Sequence, residues 1–126
     1  MSYSALDPEA NRPAVAVQAP TEEWRDLRHP KDVLEEVVGV ACKTWGVTTE
    51  EMLSHQRPNR IAVARMAMYA LVLEATNCSF SELGRLLGRD HSTIQKGNIV
   101  ARNLLDTDPR FAAAYRIARI RLGLQP

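Results

Sequence analysis

The chain has 126 residues, enough for one domain and a tail, and its 45% hydrophobic and 25% charged content is typical of an ordinary soluble protein. The chain has no long apolar run and no basic N-terminal cluster followed by an apolar stretch, which argues against a membrane protein and a secreted protein. Cys42 and Cys78 have no cysteine or histidine at metal-ligand spacing, which argues against a zinc site and a disulfide framework. These features favour a reducing cytoplasm. The net charge of +1 divides into −5 over residues 1–53, +4 over 54–102 and +2 over 103–126, a weak indication of a polyanionic partner.

Residues 1–29 are predicted to form a flexible acidic tail outside the folded domain. Every helical or strand period in residues 1–20 is interrupted by three prolines, Pro8, Pro13 and Pro20. The stretch from Thr21 to Arg28 is compatible with a short helix whose Trp24 packs back on the domain. The folded domain is therefore expected over residues 30–126.

The first helix of this domain is predicted to begin at Pro30 and to end before Gly46. Proline suits the first turn of a helix, and glycine suits a left-handed residue just beyond its end. Apolar residues recur between them at helical spacing: Val33, Leu34, Val37, Val38, Ala41 and Trp45. Thr48 or Thr49 then begins a second, short helix that includes Leu53.

A polar, basic loop from Ser54 to Arg60 precedes a long helix, which is predicted to run from about Arg60 to Ala75 and to stop at Asn77. The apolar residues of this helix fall on one broad stripe: Ile61, Ala64, Ala67, Met68, Leu71 and Val72. Three arginines cluster near its start and are candidates for contacts with a sugar-phosphate backbone: Arg57, Arg60 and Arg65.

Two further helices follow, joined by a tight turn. Ser79 and Glu82 have the spacing of a capping box, which opens a helix that Gly88 ends. Asp90 can cap the next helix, predicted to run to about Leu105. The residues predicted to face inward are Phe80, Leu83, Leu86, Leu87, Ile94, Ile99 and Leu104. Two helices around such a turn are typical of a helix-turn-helix.

A last helix opens at Asp108 and Pro109, and its surface is basic. No stretch of the chain alternates as a strand does, and glycine and proline stand at the predicted helix ends. The sequence therefore predicts an all-α fold, a compact domain of about six helices that contains a helix-turn-helix.

The second helix of a helix-turn-helix places its first residues in the major groove of double-stranded DNA. In this chain those residues are polar and are not needed for a core: Arg89, Asp90, His91, Ser92 and Thr93. Each has a side chain that can contact a base edge, and the first four are the predicted base contacts. Lys96 is a candidate for a phosphate contact. The structural alternative is that Asp90 is only a helix cap and that Arg89 and His91 are solvated.

Four segments of the chain stand in a specific order: Val47 to Ser54, Ala64 to Tyr69, Phe80 to Gly84, and Gly88 to Ile94. Through them, residues 33–103 resemble the C-terminal DNA-binding domain of the bacterial replication initiator DnaA. The resemblance implies a DnaA-box target, an asymmetric site of TTATCCACA character. It further implies roles for single residues, namely base contacts from Asp90, His91 and Ser92, phosphate contacts from Thr93 and the amides of Phe80 and Ser81, and a minor-groove contact from Arg57 or Arg60.

The chain departs from that family in four places. Only Gly88 precedes the arginine of the last segment, where two glycines are usual, and the loop from Ser54 to Arg65 is a residue short. The sequence from Gln95 to Gly97 is unusual, and a glycine there weakens a helix interior by roughly 1 kcal/mol. No G-x-x-x-x-G-K-[ST] string is present, so we expect neither bound nucleotide nor ATPase activity.

Other functional classes fit less well. Asp90, His91 and Ser92 are consecutive on one helix start and point in different directions, so they do not form a catalytic triad, and no enzyme activity, cofactor or metal is expected. The alternative function is a protein-interaction module with weak or lost DNA binding, which recruits a partner or self-associates through the N-terminal segment or the last helix. A role in replication initiation and a role in transcription, both in the nucleoid, remain open.

Overall fold

A computed structural model describes residues 29–55 and 58–124, in which the chain forms six helices and no strand. These are α1 (Pro30–Trp45), α2 (Thr49–Leu53), α3 (Asn59–Ala75), α4 (Phe80–Leu87), α5 (His91–Thr107) and α6 (Pro109–Arg121). The predicted all-α class is confirmed. None of these helices is long and apolar enough to cross a membrane. The predicted tail with its helix at 21–28, and Arg57 in the basic loop, lie outside the described residues.

Local signals set most of the helix ends. Gly46 ends α1 with a φ of 69°, and its N–H donates to the Cys42 carbonyl at 2.9 Å. Thr48, rather than Thr49, caps α2, since its hydroxyl accepts the Glu51 N–H at 3.0 Å. The predicted capping box of α4 is present as well, because the side chains and backbone N–H groups of Ser79 and Glu82 bond reciprocally.

The long helix α3 lies at the centre of the domain, with α1 and α5 as its main neighbours. Every residue from Ala67 to Val72 is at most 2% exposed, so this six-residue stretch of the helix is buried on all sides. The buried surface of α3 is therefore wider than the single stripe that its sequence predicts.

The helix α5 packs against α3 through Gly97, which is buried. A Cβ atom added to Gly97 would lie 2.7 Å from Cδ2 of Tyr69, closer than real Cβ contacts. From the sequence, Gly97 only weakens the helix. In the structure it allows α5 to approach Tyr69 on the central helix.

Two residues predicted to face inward are exposed instead. Ile99 is 51% exposed because it lies two residues beyond Gly97, about 200° around the helix from the buried face. Leu86 is 37% exposed because it lies at the edge of α4, where it lines an open groove with Leu53 and Leu34. Both predictions are wrong: Ile99 lies on the side of α5 opposite the buried face, and Leu86 lies beside the open groove.

The last helix is held to the domain by the carboxylate of Glu74 on α3. The hydroxyl of Tyr115 donates to this carboxylate at 2.9 Å, and Arg119 forms an ion pair with it at 2.7 Å. Burial is the main cause that raises the pKa of Tyr115, and the negative charge of Glu74 raises it further. Arg102 of α5 reaches the same carboxylate at 3.4 Å. The helices α3, α5 and α6 are thus joined at one polar centre around Glu74.

Candidate nucleic-acid interface

The turn between α4 and α5 is closed by the backbone. Gly88 adopts a φ of 67°, and the N–H of Arg89 donates to the Gly84 carbonyl at 2.8 Å. A Cβ atom on Gly84 would lie only 2.5 Å from the carbonyl oxygen of Arg89. This turn therefore requires a glycine at position 84, which the sequence analysis did not single out. The available signal was a glycine inside an otherwise regular helix.

The start of α5 presents a polar surface to solvent. Asp90, His91, Ser92 and Thr93 are all exposed. Asp90 occupies the position before the helix with extended backbone, but its carboxylate accepts no capping hydrogen bond. The alternative that Asp90 is only a helix cap therefore lacks the hydrogen bond that a cap would make. The carboxylate of Asp90 is open to a ligand such as a base amino group.

The helices α3 and α5 differ from the other described helices at their first turns. The other four begin with a side-chain cap, provided by His29, Thr48, Ser79 and Asp108. Within the described residues, no side chain caps α3 or α5. Exposed amides at a helix start can bind anions, and here both uncapped starts follow segments predicted to contact DNA.

Two arginines hold the end of α2 and the loop that follows it. Arg65 on α3 donates to the carbonyls of Met52 and Glu51, each at 3.1 Å. Arg89 donates from Nη2 to the carbonyl of Ser54 at 2.8 Å. Burial is the main cause that lowers the pKa of Arg65, and the positive charge of Arg89 contributes. Both predicted DNA contacts thus also bind backbone carbonyls of the protein.

Arg60 has a different environment. It forms an ion pair with Glu51 at 2.8 Å and a long hydrogen bond to the Gly46 carbonyl at 3.4 Å, but 58% of its side chain is exposed. Exposed ion pairs stabilise a protein little, so Arg60 can leave this partner for a phosphate or a base at small cost. Of the two described arginines near the start of α3, Arg60 is exposed and Arg65 is half-buried, so Arg60 is more accessible to a ligand.

Five of the predicted contact residues line two neighbouring cavities, whereas His91, Ser92 and Arg60 line neither. One, of about 450 Å³, lies at the turn and is lined by His55, Arg85, Arg89, Asp90 and Thr93 together with Gly84 and Gly88. The other, of about 290 Å³, lies between α3 and α5 and is lined in part by Arg65, Lys96, Arg89 and Thr93. Arg89 and Thr93 belong to both, so the two concave surfaces adjoin. His55 and Arg85 were not predicted from the sequence.

Phe80 and Ser81 lie apart from these cavities, in the first turn of α4. Ser81 is exposed and Phe80 is half-buried, as expected if backbone amides, rather than the phenyl ring, meet a phosphate. The structure thus brings most of the predicted contacts into one area and leaves these two at the other end of α4.

The described residues contain no group of three metal-ligating side chains. Cys42 is buried, Cys78 is half-buried, and burial raises the pKa of the Cys78 thiol, which disfavours the reactive thiolate. The polar residues at the turn are thus the main candidates for a function.

Comparison with known proteins agrees with this geometry. The family profile described as bacterial dnaA protein helix-turn-helix matches residues 34–98. The chain is 25% identical over 121 residues to the chromosomal replication initiator protein DnaA of Chloroflexus aurantiacus, covering 92% of this chain and 25% of that protein. For the DnaA of Neisseria meningitidis serogroup B, the identity is 25% over 109 residues, covering 83% and 21%. For Tropheryma whipplei DnaA, it is 27% over 85 residues, covering 67% and 18%. The chain spans at most a quarter of these relatives.

Proposed function

The chain belongs to the bacterial DnaA helix-turn-helix family, and on that premise we propose that it binds double-stranded DNA sequence-specifically at DnaA-box-like sites. The observation that carries the proposal is the exposed, uncapped start of α5, which lies beside a loop held in place by arginines. In a helix-turn-helix this is the end that meets base edges.

We assign base contacts to Asp90, His91 and Ser92, whose exposed side chains follow one another along the start of α5. Asp90 accepts from a cytosine amino group, while His91 and Ser92 donate or accept as the base requires. The identity of the preferred bases follows from the pose of α5 in the groove, which the single glycine at the turn influences.

Phosphate contacts surround these base contacts on the proposed interface. Thr93 and Lys96 face the cavity between α3 and α5, and the amides of Phe80 and Ser81 open α4. Arg60 is the described candidate for the minor groove, because its ion pair is exposed and easily exchanged. Arg57 stays a second candidate for that contact.

In the cell we propose a role in regulating replication initiation or transcription in the cytoplasmic nucleoid. These 126 residues contain no phosphate-binding G-x-x-x-x-G-K-[ST] string, so the proposed binding needs no ATP hydrolysis by this segment. Occupancy of boxes at an origin and occupancy of boxes at a promoter both fit this activity.

The test is selection of bound sequences from random duplex DNA, followed by titration of the selected duplex at several salt concentrations. We expect one enriched motif, and an affinity that falls steeply between about 50 and 200 mM salt because phosphate contacts release counterions. His91→Ala should broaden the motif. Asn103→Ala, a polar change at an exposed position farther along α5, is the matched control and should leave it unchanged.

The absence of an enriched motif, together with binding that does not depend on salt, would contradict DNA recognition. That outcome would instead favour the protein-interaction alternative, in which apolar contacts dominate and salt has little effect. Salt-dependent binding without a motif would support only a non-specific form of the activity.

A further inference from the structure

Arg89 stands where the two DNA-facing elements of the domain meet. Its backbone is fixed to α4, because its N–H donates to the Gly84 carbonyl at 2.8 Å. Its side chain extends away from α5 to the loop after α2. There Nη2 donates to the carbonyls of Ser54, at 2.8 Å, and Leu53, at 3.3 Å, while Nη1 lies 3.1 Å from Nδ1 of His55.

These contacts satisfy groups that a short helix leaves open. The last carbonyls of any helix lack partners within the helix, and the negative end of the helix dipole lies there. At the end of α2, Arg65 donates to the carbonyls of Glu51 and Met52, and Arg89 donates to those of Leu53 and Ser54. The two guanidinium groups thus divide four successive carbonyls between them and fix where the basic loop begins.

We propose that Arg89 is a positioning residue that couples the recognition helix to the basic loop and thereby sets the spacing between major-groove and minor-groove contacts. This inference rests on the proposed DNA binding. The sequence predicts a direct base contact for Arg89. In the structure, both terminal nitrogens of the guanidinium are already bound to the loop, so a base contact would require releasing it.

The decisive variant is Arg89→Lys, because lysine keeps the positive charge but has no planar fork to bind two carbonyls and an imidazole together. Arg116→Lys, the same exchange at an exposed position of α6, is the matched control. The first readout needs no DNA. It is hydrogen exchange at the Ser54 amide, which donates to the Glu51 carbonyl at 3.2 Å. We expect exchange about tenfold faster in Arg89→Lys and unchanged in Arg116→Lys.

The second readout is the selected DNA motif. Selection with Arg60→Ala first identifies the base pairs that depend on the loop. We expect Arg89→Lys to broaden the preference at those same base pairs, with the preference set by His91 retained and affinity for the full site about tenfold lower. His55→Ala removes one of the three loop contacts and should shift both readouts in the same direction by a smaller amount.

Unchanged exchange at Ser54 in Arg89→Lys would overturn the proposal. So would a loss of preference confined to base pairs that do not depend on Arg60, since Arg89 would then read a base directly. If the wild-type chain selects no motif at all, the proposed function fails, while hydrogen exchange in the free protein still decides whether Arg89 positions the loop.

Discussion

Replacing Gly84 by alanine should open the turn between α4 and α5. In an ordinary helix interior this change stabilises a protein, since alanine is about 1 kcal/mol more favourable than glycine. At position 84 the added Cβ would stand 2.5 Å from the carbonyl oxygen of Arg89, and the neighbouring atom is backbone, which cannot rotate away. We therefore expect the opposite sign.

The size of the effect follows from the geometry. Ordinary contact begins near 3.4 Å, so the Arg89 carbonyl must retreat by the difference from 2.5 Å, which is about 0.9 Å. Such overpacking costs about 1–3 kcal/mol. The same movement strains the bond from the Arg89 N–H to the Gly84 carbonyl, worth about 1 kcal/mol. After the gain in helix propensity, the net destabilisation should be about 1–3 kcal/mol.

Urea unfolding followed by circular dichroism measures this difference, with Gly39→Ala as the matched control. Gly39 lies on the exposed side of α1, and an added Cβ there meets no atom within 4 Å. Gly39→Ala should therefore stabilise the domain by about 0.4–1 kcal/mol. If Gly84→Ala is as stable as the wild type while Gly39→Ala is stabilised as expected, residue 84 does not lie this close to the carbonyl oxygen of Arg89.

Three further predictions concern the interface and the polar contacts. His91→Ala should relax base preference by about 1–3 kcal/mol, whereas Lys96→Ala should weaken all duplexes alike and lower the salt slope by about 1. Competition with duplexes of permuted sequence separates a loss of base preference from a uniform loss of affinity. If both variants lose affinity for all duplexes alike, the assignment of His91 to a base contact is refuted. Tyr115→Phe should destabilise the domain by about 1.5–3 kcal/mol in urea unfolding, since a hydrogen bond to the charged Glu74 is lost, and an unchanged midpoint would contradict this. The Thr48 N–H first, and then Arg60, lower the pKa of Glu51 below 4.5. The ionised Glu51 carboxylate therefore stabilises the domain above about pH 4.5, and this contribution is lost as the pH falls through the folded pKa. Because Glu51→Gln lacks this carboxylate, its free energy of unfolding should fall less than that of the wild type between about pH 5 and 3.

Helix boundaries were predictable where a local residue determines them. Gly46 and Gly88 have positive φ angles, and Ser79 with Glu82 forms the capping box that its spacing indicates. These features depend on neighbours within about four positions, which sequence patterns contain.

The remaining features depend on residues distant in sequence. The packing of Gly97 on Tyr69, and the reach of Arg89 to Ser54, are set by how α3, α4 and α5 assemble. Apolar character was also a poor guide at Ile99, which lies two residues beyond the buried Gly97, about 200° around α5, and is exposed. For the candidate site, the sequence indicated which residues are polar, whereas only the structure shows which of them bind the protein itself.

If DNA binds as proposed, the uncapped first turns of α3 and α5 make stability and affinity oppose each other in this domain. A side-chain cap stabilises a helix by about 0.5–2 kcal/mol, and α5 lacks one although Asp90 stands at the capping position. A phosphate bound at the start of α3 or of α5 would accept hydrogen bonds from the backbone amides that lack a side-chain cap. A polyanion that binds the folded state should therefore raise the melting temperature. Conversely, engineering a cap into either turn should yield a protein that is harder to unfold and a poorer ligand for DNA.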